Sequence, residues 1–237
     1  MVAHTVTSFE NEISQLRGLV AEMGGLAEVA IRDAVQALVR DDDELASRVV
    51  DRDARLDAQE FQIERSVVQI IALRAPMADD LRDVIAALKI SAVVERIGDY
   101  AKNIAKRVDR VEGHSKIGPL TLLPAMAEIA QGMVRDALNA YGARDARLAV
   151  DVIRRDQKVD EFYDSIFRNL VSHMIEKPSS ISDAAQLLFV ARNLERIGDH
   201  ATNVAEMVYF AATGEYCTER DRTELDEELS DWLDGEG

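Results

Sequence analysis

The stretch Glu95-Arg96-Ile97-Gly98-Asp99 returns later in the chain as Glu195-Arg196-Ile197-Gly198-Asp199. The flanks agree as well: Asp83, Leu88, Ala101, Asn103 and Ala105 are matched by Asp183, Leu188, Ala201, Asn203 and Ala205, all at one offset. Upstream the match continues at a slightly larger offset. Arg52-Asp53 and Asp57 are answered by Arg155-Asp156 and Asp160, and Arg32-Asp33-Ala34 by Arg135-Asp136-Ala137. The change of offset falls in the loop before the third element, where insertions cost little. Matched elements in the same order mark an internal duplication.

Composition narrows the fold. A duplicated chain of 237 residues divides into two similar halves, each long enough to bury a core. With 47% hydrophobic residues, 5% aromatic, 12 Gly and 4 Pro, the chain favours long helices over sheet. The net charge of -16 excludes direct nucleic-acid binding, which needs a basic face, and suits cations or a basic partner. Cys217 is the single cysteine, so no intrachain disulfide forms. Met1 to Thr5 carry neither a basic nor an apolar targeting pattern, and no apolar run is long enough to span a bilayer. The expected location is cytoplasmic.

The helical reading follows the chain. Ser8 is taken as the N-cap of a first helix running to about Arg40, with Gly24-Gly25 marking a bend or a close contact inside it. The acids Asp41 to Glu44 open a second helix to about Leu73, which Ala75-Pro76 breaks. Asp79 and Asp80 open a third, whose stripe Ile90, Val93, Ile97, Ala101, Ile104 and Val108 has the three-then-four spacing of a bundle helix. The second half repeats the plan, with helices at about Leu120 to Tyr141, Asp145 to Ile175 and Ser182 to Ala212, a break at Lys177-Pro178, and Gly214 as terminator. The fold class is therefore all-α, a tandem duplication of a three-helix bundle with six long helices. The expected domains are residues 1–112, a linker at 113–119, residues 120–213, and an acidic tail at 214–237 carrying Leu225, Leu229 and Trp232 at near-helical spacing.

The repeated acids carry the chemistry. Positions four apart lie about 40° apart around a helix, so Glu95 and Asp99 share a face, extended by Lys102 and Asn103. That face points almost opposite the apolar stripe, which places the carboxylates on the outside of the bundle. Asp53 and Asp57 pair likewise on the second helix, followed by Glu60 and Glu64, and Asp156 and Asp160 are their counterparts. The plain reading is a solvated acidic face with Arg96 and Arg196 as surface charges. Against it stand the repetition of both members of each pair and Gly98 and Gly198, which cost helix stability at the same place. Adjacent carboxylate pairs repel unless cations or protons sit between them. The expected metal ligands are Glu95, Asp99, Glu195, Asp199, Asp53, Asp57, Asp156 and Asp160, binding hard or borderline cations through oxygen.

Gly98 and Gly198 are read equally as places where a neighbouring helix comes close. His200 stands in the place of Tyr100 and reads as a hydrogen-bonded surface residue, and His4, His114 and His173 form no ligand set. No phosphate loop, dinucleotide glycine pattern, zinc cysteine set or nucleophile elbow is present. A di-iron oxidase would want Glu-x-x-His, and Gly98 and Gly198 occupy those histidine positions.

Two three-helix halves, each ending in Glu-Arg-Ile-Gly-Asp followed by Ala-x-Asn-x-Ala, resemble the PhoU family of phosphate transport regulators, over roughly residues 8–213. The resemblance implies metal clusters on the acidic motifs, with divalent or ferric ions (iron, zinc, magnesium or manganese) as cofactors. It also implies a negative regulator of the phosphate-starvation response, acting between the phosphate ABC transporter, through its ATPase subunit, and a phosphate-sensing histidine kinase, often as a homodimer. One departure is that Tyr163 and Phe167 replace Glu60 and Glu64, so the second bundle is expected to hold metal differently or less tightly. The leading reading is a non-enzymatic adaptor. The alternatives are a metal-dependent enzyme using surface carboxylate clusters, and a metal-free helical scaffold.

Overall fold

The computed structural model describes residues 2–111, 121–218 and 221, with side chains from residue 9 onward. Six long helices carry the fold: α1 (Val2–Arg40), α2 (Asp43–Arg74), α3 (Ala78–Ala105), α4 (Leu123–Ala143), α5 (Ala146–Glu176) and α6 (Ile181–Thr213). No strand occurs among the described residues. The expected linker and the tail positions Leu225, Leu229 and Trp232 lie outside the described residues.

Local sequence sets the helix ends. Asp42 caps α2 by accepting the Leu45 N–H at 2.8 Å, and Asp145 caps α5 by accepting the Leu148 N–H at 3.0 Å. Asp43 and Glu44 then face the positive end of the α2 dipole. Ala75 ends α2 in the left-handed region, and Pro76 prevents continuation. Gly214 closes α6 at φ 83°, with its N–H donating to the Phe210 carbonyl. Ser8 is not an N-cap, because α1 continues through it to Val2. The helix-compatible run of residues before Ser8 contains no breaker, so a capping-type side chain alone does not start a helix.

Each half is a three-helix bundle, and the two halves share one continuous apolar core. Within the halves, α1, α2 and α3 pack on one another, as do α4, α5 and α6, while α3 against α6 and α1 against α4 join them. The helices α2 and α5 therefore flank a central layer of α1, α3, α6 and α4. The α3 stripe is buried at Ile90, Ile97, Ala101 and Ile104, and Val108 follows in a short 3-10 turn. Val94 takes the buried place expected for Val93, which is half-buried. The shift arises because α3 has neighbours on three sides, so its buried face is wider than one bundle stripe.

Two ion pairs repeat with the duplication. Arg52 donates to Asp33 at 3.2 Å and Arg155 to Asp136 at 2.8 Å, tying the second helix of each half to the first. A third network joins the two halves. Asp83, 2% exposed, accepts from Arg17 and pairs with Arg144 at 3.4 Å, and so links α3 to α1 and to the residue that ends α4.

Candidate metal centres

The acidic motifs lie along two seams, α2 against α3 and α5 against α6. Glycine makes each seam close. A Cβ on Gly98 would stand 2.3 Å from Leu56 Cδ1 and 3.8 Å from Asp53 Oδ1. One on Gly198 would stand 3.2 Å from Val159 Cγ1 and 3.5 Å from Asp156 Oδ1. The mid-helix glycines therefore serve close approach, and that approach brings the acids of one helix beside those of the next.

The seams are not the outer face expected from the wheel of α3. Glu195 is only 9% exposed, and Glu95 and Asp99 are half-buried. The stripe argument counts one packed face, whereas α5 covers a second side of α6 and α2 a second side of α3. Burial raises the Glu95 carboxyl above its ordinary range, and the charges of Asp99, Glu60, Asp57 and Asp53 add to the effect. Burial followed by Glu64 and Asp57 raises Glu60. In the second seam burial followed by Asp199 raises both Glu195 and Asp160. Crowded carboxyls of this kind gain from a cation or a proton.

The two seams meet that demand differently. In the first, the Lys102 ammonium donates to Asp53 of α2 and to Asp99 Oδ1 of α3, the latter at 2.6 Å. Burial alone would lower the Lys102 pKa, but these two carboxylates outweigh it and hold it well above the usual lysine value. In the second seam Thr202 stands in the place of Lys102, and its buried Oγ1 has no hydrogen-bond partner. Arg192, which has Ala92 as its counterpart, donates to Glu195 Oε1 instead. Glu195 Oε2 stays buried without a partner.

Asp160, Glu195 and Asp199 each bring one carboxylate oxygen within 4.8 Å of the others. These three could share one ion, and the orphaned Glu195 oxygen fits such a ligand. Asp156 lies beside Gly198 outside that grouping, while Asp57 acts on Glu95 through its charge. Sequence placed Lys102 on the acidic face without giving it a role, and passed over Arg192 and Thr202. The signal for them was the break in the repeat at those positions.

His200 also departs from its expected surface role. It is half-buried and packs edge to face on Tyr100, with ring centroids 5.2 Å apart and an interplanar angle of 83°. Arg196 lies 5.7 Å over the Tyr100 ring. Burial, followed by the charge of Arg96, lowers the His200 pKa. The motif helices thus cross at their own motifs, and Arg107 of the short turn after α3 meets Gln186 and Phe189 early in α6, so α3 and α6 run antiparallel.

Comparison with known proteins agrees with this architecture. The family model described as PhoU domain matches residues 20–108 and 123–208, one copy per half. A relative from Zymomonas mobilis, named phosphate-specific transport system accessory protein PhoU homolog, is 51% identical over 93% of both chains. One of the same name from Caulobacter vibrioides is 46% identical over 95% of this chain and 98% of its own. The crystal structure of PhoU from Pseudomonas aeruginosa superposes with a TM-score of 0.83 at 36% identity, covering 87% of this chain and all of that one. With both halves matched and relatives aligned nearly end to end, the chain belongs to the PhoU family.

Proposed function

We propose that this protein is a negative regulator of phosphate uptake and of the phosphate-starvation response. It works as a cytoplasmic, non-enzymatic adaptor between the phosphate ABC transporter, at its ATPase subunit, and a phosphate-sensing histidine kinase. The observation that carries the reading is the doubled acidic motif on a fold shared nearly end to end with relatives named as accessory proteins of phosphate-specific transport. No helix among the described residues is long and apolar enough to cross a membrane, which fits a peripheral adaptor.

Metal binding belongs to the same proposal. Asp53, Asp57, Glu95 and Asp99 in one seam, and Asp156, Asp160, Glu195 and Asp199 in the other, are all-oxygen donors suited to magnesium, manganese, zinc or iron. A bound ion would neutralise the seam charge and clamp α2 to α3, or α5 to α6, and so fix the surface that partners meet.

A reporter for a phosphate-starvation gene tests the regulator. In high phosphate the reporter stays repressed with the intact protein and is switched on in its deletion. Repression that survives the deletion rules the reading out. Co-purification of the transporter ATPase subunit and of the kinase with the tagged protein tests the adaptor role separately.

A further inference from the structure

Between the two acidic seams runs a strip that carries no acid. Positions 89, 92, 96, 100, 103 and 107 follow one face of α3 at helical spacing, and positions 189, 192, 196, 200, 203 and 207 repeat them on α6. All are exposed or half-buried, and none is aspartate or glutamate. The cations Lys89, Arg96, Arg107, Arg192 and Arg196 stand there instead, in a chain with 44 acidic residues and 28 lysines and arginines. The two stripes touch across the junction of the halves. Arg107 lies 4.3 Å over the Phe189 ring, Arg196 lies 5.7 Å over Tyr100, and Tyr100 meets His200. Arg192 is paired with Glu195, and the charge of Arg196 reaches Glu195 without an ion pair. Lys89, Arg96, Arg107 and Arg196 make no ion pair among the described residues. Burial, followed by the charge of Arg110, lowers the Arg107 pKa, so no carboxylate offsets the burial of that guanidinium.

We propose that this strip is the docking site for an acidic helix of a partner protein, with its carboxylates against Arg96 and Arg196 and its apolar contacts on Tyr100 and Phe189. The proposal rests on the adaptor reading above and adds to it a surface and a partner chemistry. It runs opposite to the basic partner that a net charge of -16 suits. Guanidinium groups take carboxylates in two-pronged, charge-assisted hydrogen bonds, and cations held side by side without anions gain from one. Size selects the form of the partner. The rise from position 89 to position 107 is about 27 Å, or about five helical turns. Packed helices lie about 8–10 Å apart, so a strip made from two of them matches the width of one bound helix. A nucleic-acid duplex or an anionic bilayer is broader, and its phosphates would meet the seam carboxylates on either side. Two copies of this chain set strip to strip would oppose cation to cation.

A photo-crosslinking amino acid placed at Asn103, and separately at Asn203, both exposed on the strip, tests this in the full chain in its own cells. Mass spectrometry reads the captured segment, and circular dichroism confirms that each variant is folded. The expected product is a segment of another protein in which acids outnumber bases. Arg96→Glu with Arg196→Glu abolishes the product, Lys89→Glu, away from the acidic motifs, weakens it, and Arg96→Lys with Arg196→Lys keeps it. Capture of residues 214–237, of a second copy, of lipid, or of a neutral or basic segment overturns the proposal. So does the absence of any product, or a product that survives Arg96→Glu with Arg196→Glu. The reporter strain separates this from the adaptor reading. Reporter activity switched on by the deletion and by Arg96→Glu with Arg196→Glu supports both. Activity switched on by the deletion alone overturns the strip and leaves the regulator. A deletion without effect overturns the regulator, and the captured segment then decides the strip by itself.

Discussion

Tyr100 and His200 hold the same place in the two halves of the duplication and touch each other edge to face. Because α3 and α6 also run antiparallel, this contact between equivalent residues relates the two halves by an approximate twofold axis. The axis therefore passes near the motif helices, and the seams lie on opposite sides of it. The contact is also where the halves have diverged, one supplying a phenol and the other an imidazole.

A double-mutant cycle on this pair, Tyr100→Leu and His200→Leu, should give a favourable coupling of about 0.5–1.5 kcal/mol, the range for edge-to-face rings. Urea unfolding of the four proteins measures it. A coupling of zero would mean that the rings only fill space.

The raised carboxyls make stability depend on pH in a defined direction. Glu95 and Glu195 have folded pKa values above the ordinary 4.5, so the folded state holds their protons more tightly than the unfolded chain does. Their contribution is fully present below about 4.5 and is lost as pH rises through the raised folded values. The groups facing them are Asp53, Asp57, Glu60 and Asp99 in one seam, and Asp160, Asp199, Arg192 and Arg196 in the other. His200, lowered from 6.5, acts oppositely, since its contribution is lost as pH falls through its folded value. Comparison of the chelator-treated protein with the Glu95→Gln, Glu195→Gln variant removes His200 from the result. The advantage of the intact protein in Tm should shrink as pH rises from about 4.5 towards 7. An advantage that grows with pH would contradict the burial of these carboxyls.

Neighbouring glycines in α1 should respond in opposite senses. A Cβ on Gly25 meets nothing within 4 Å, so Gly25→Ala should stabilise by up to about 1 kcal/mol through helix propensity. A Cβ on Gly24 would stand 2.2 Å from Leu138 Cδ1 of α4, which must move within the core. Gly24→Ala should cost about 1–2 kcal/mol net, because overpacking exceeds the gain in propensity. Chemical unfolding of both variants checks the contrast.

Asp83 is the buried anion that joins the halves. Asp83→Ala leaves Arg17 and Arg144 without their shared carboxylate and should cost about 3 kcal/mol, read as a lowered urea midpoint. A loss below about 1 kcal/mol would show that water replaces the carboxylate readily.

The repeat, the six helices, their breaks at Pro76 and Pro178 and the acid pairs were all legible in the sequence, because helix periodicity, capping and proline chemistry act over a few residues. The same reading misjudged Ser8, since a side chain able to cap does not oblige a helix to begin there. It also placed Glu195 on an open face, because a wheel drawn for one helix cannot show that α5 covers a second side of α6. What only the tertiary structure decided is which charges meet. Lys102 sits one turn from Asp99 in the chain, but its bond to Asp53 exists because Gly98 lets α2 come close, and Thr202 leaves the corresponding place in the second half without an ammonium. Electrostatic partnership depends on distance and burial across helices, and neither is written in the spacing along one of them.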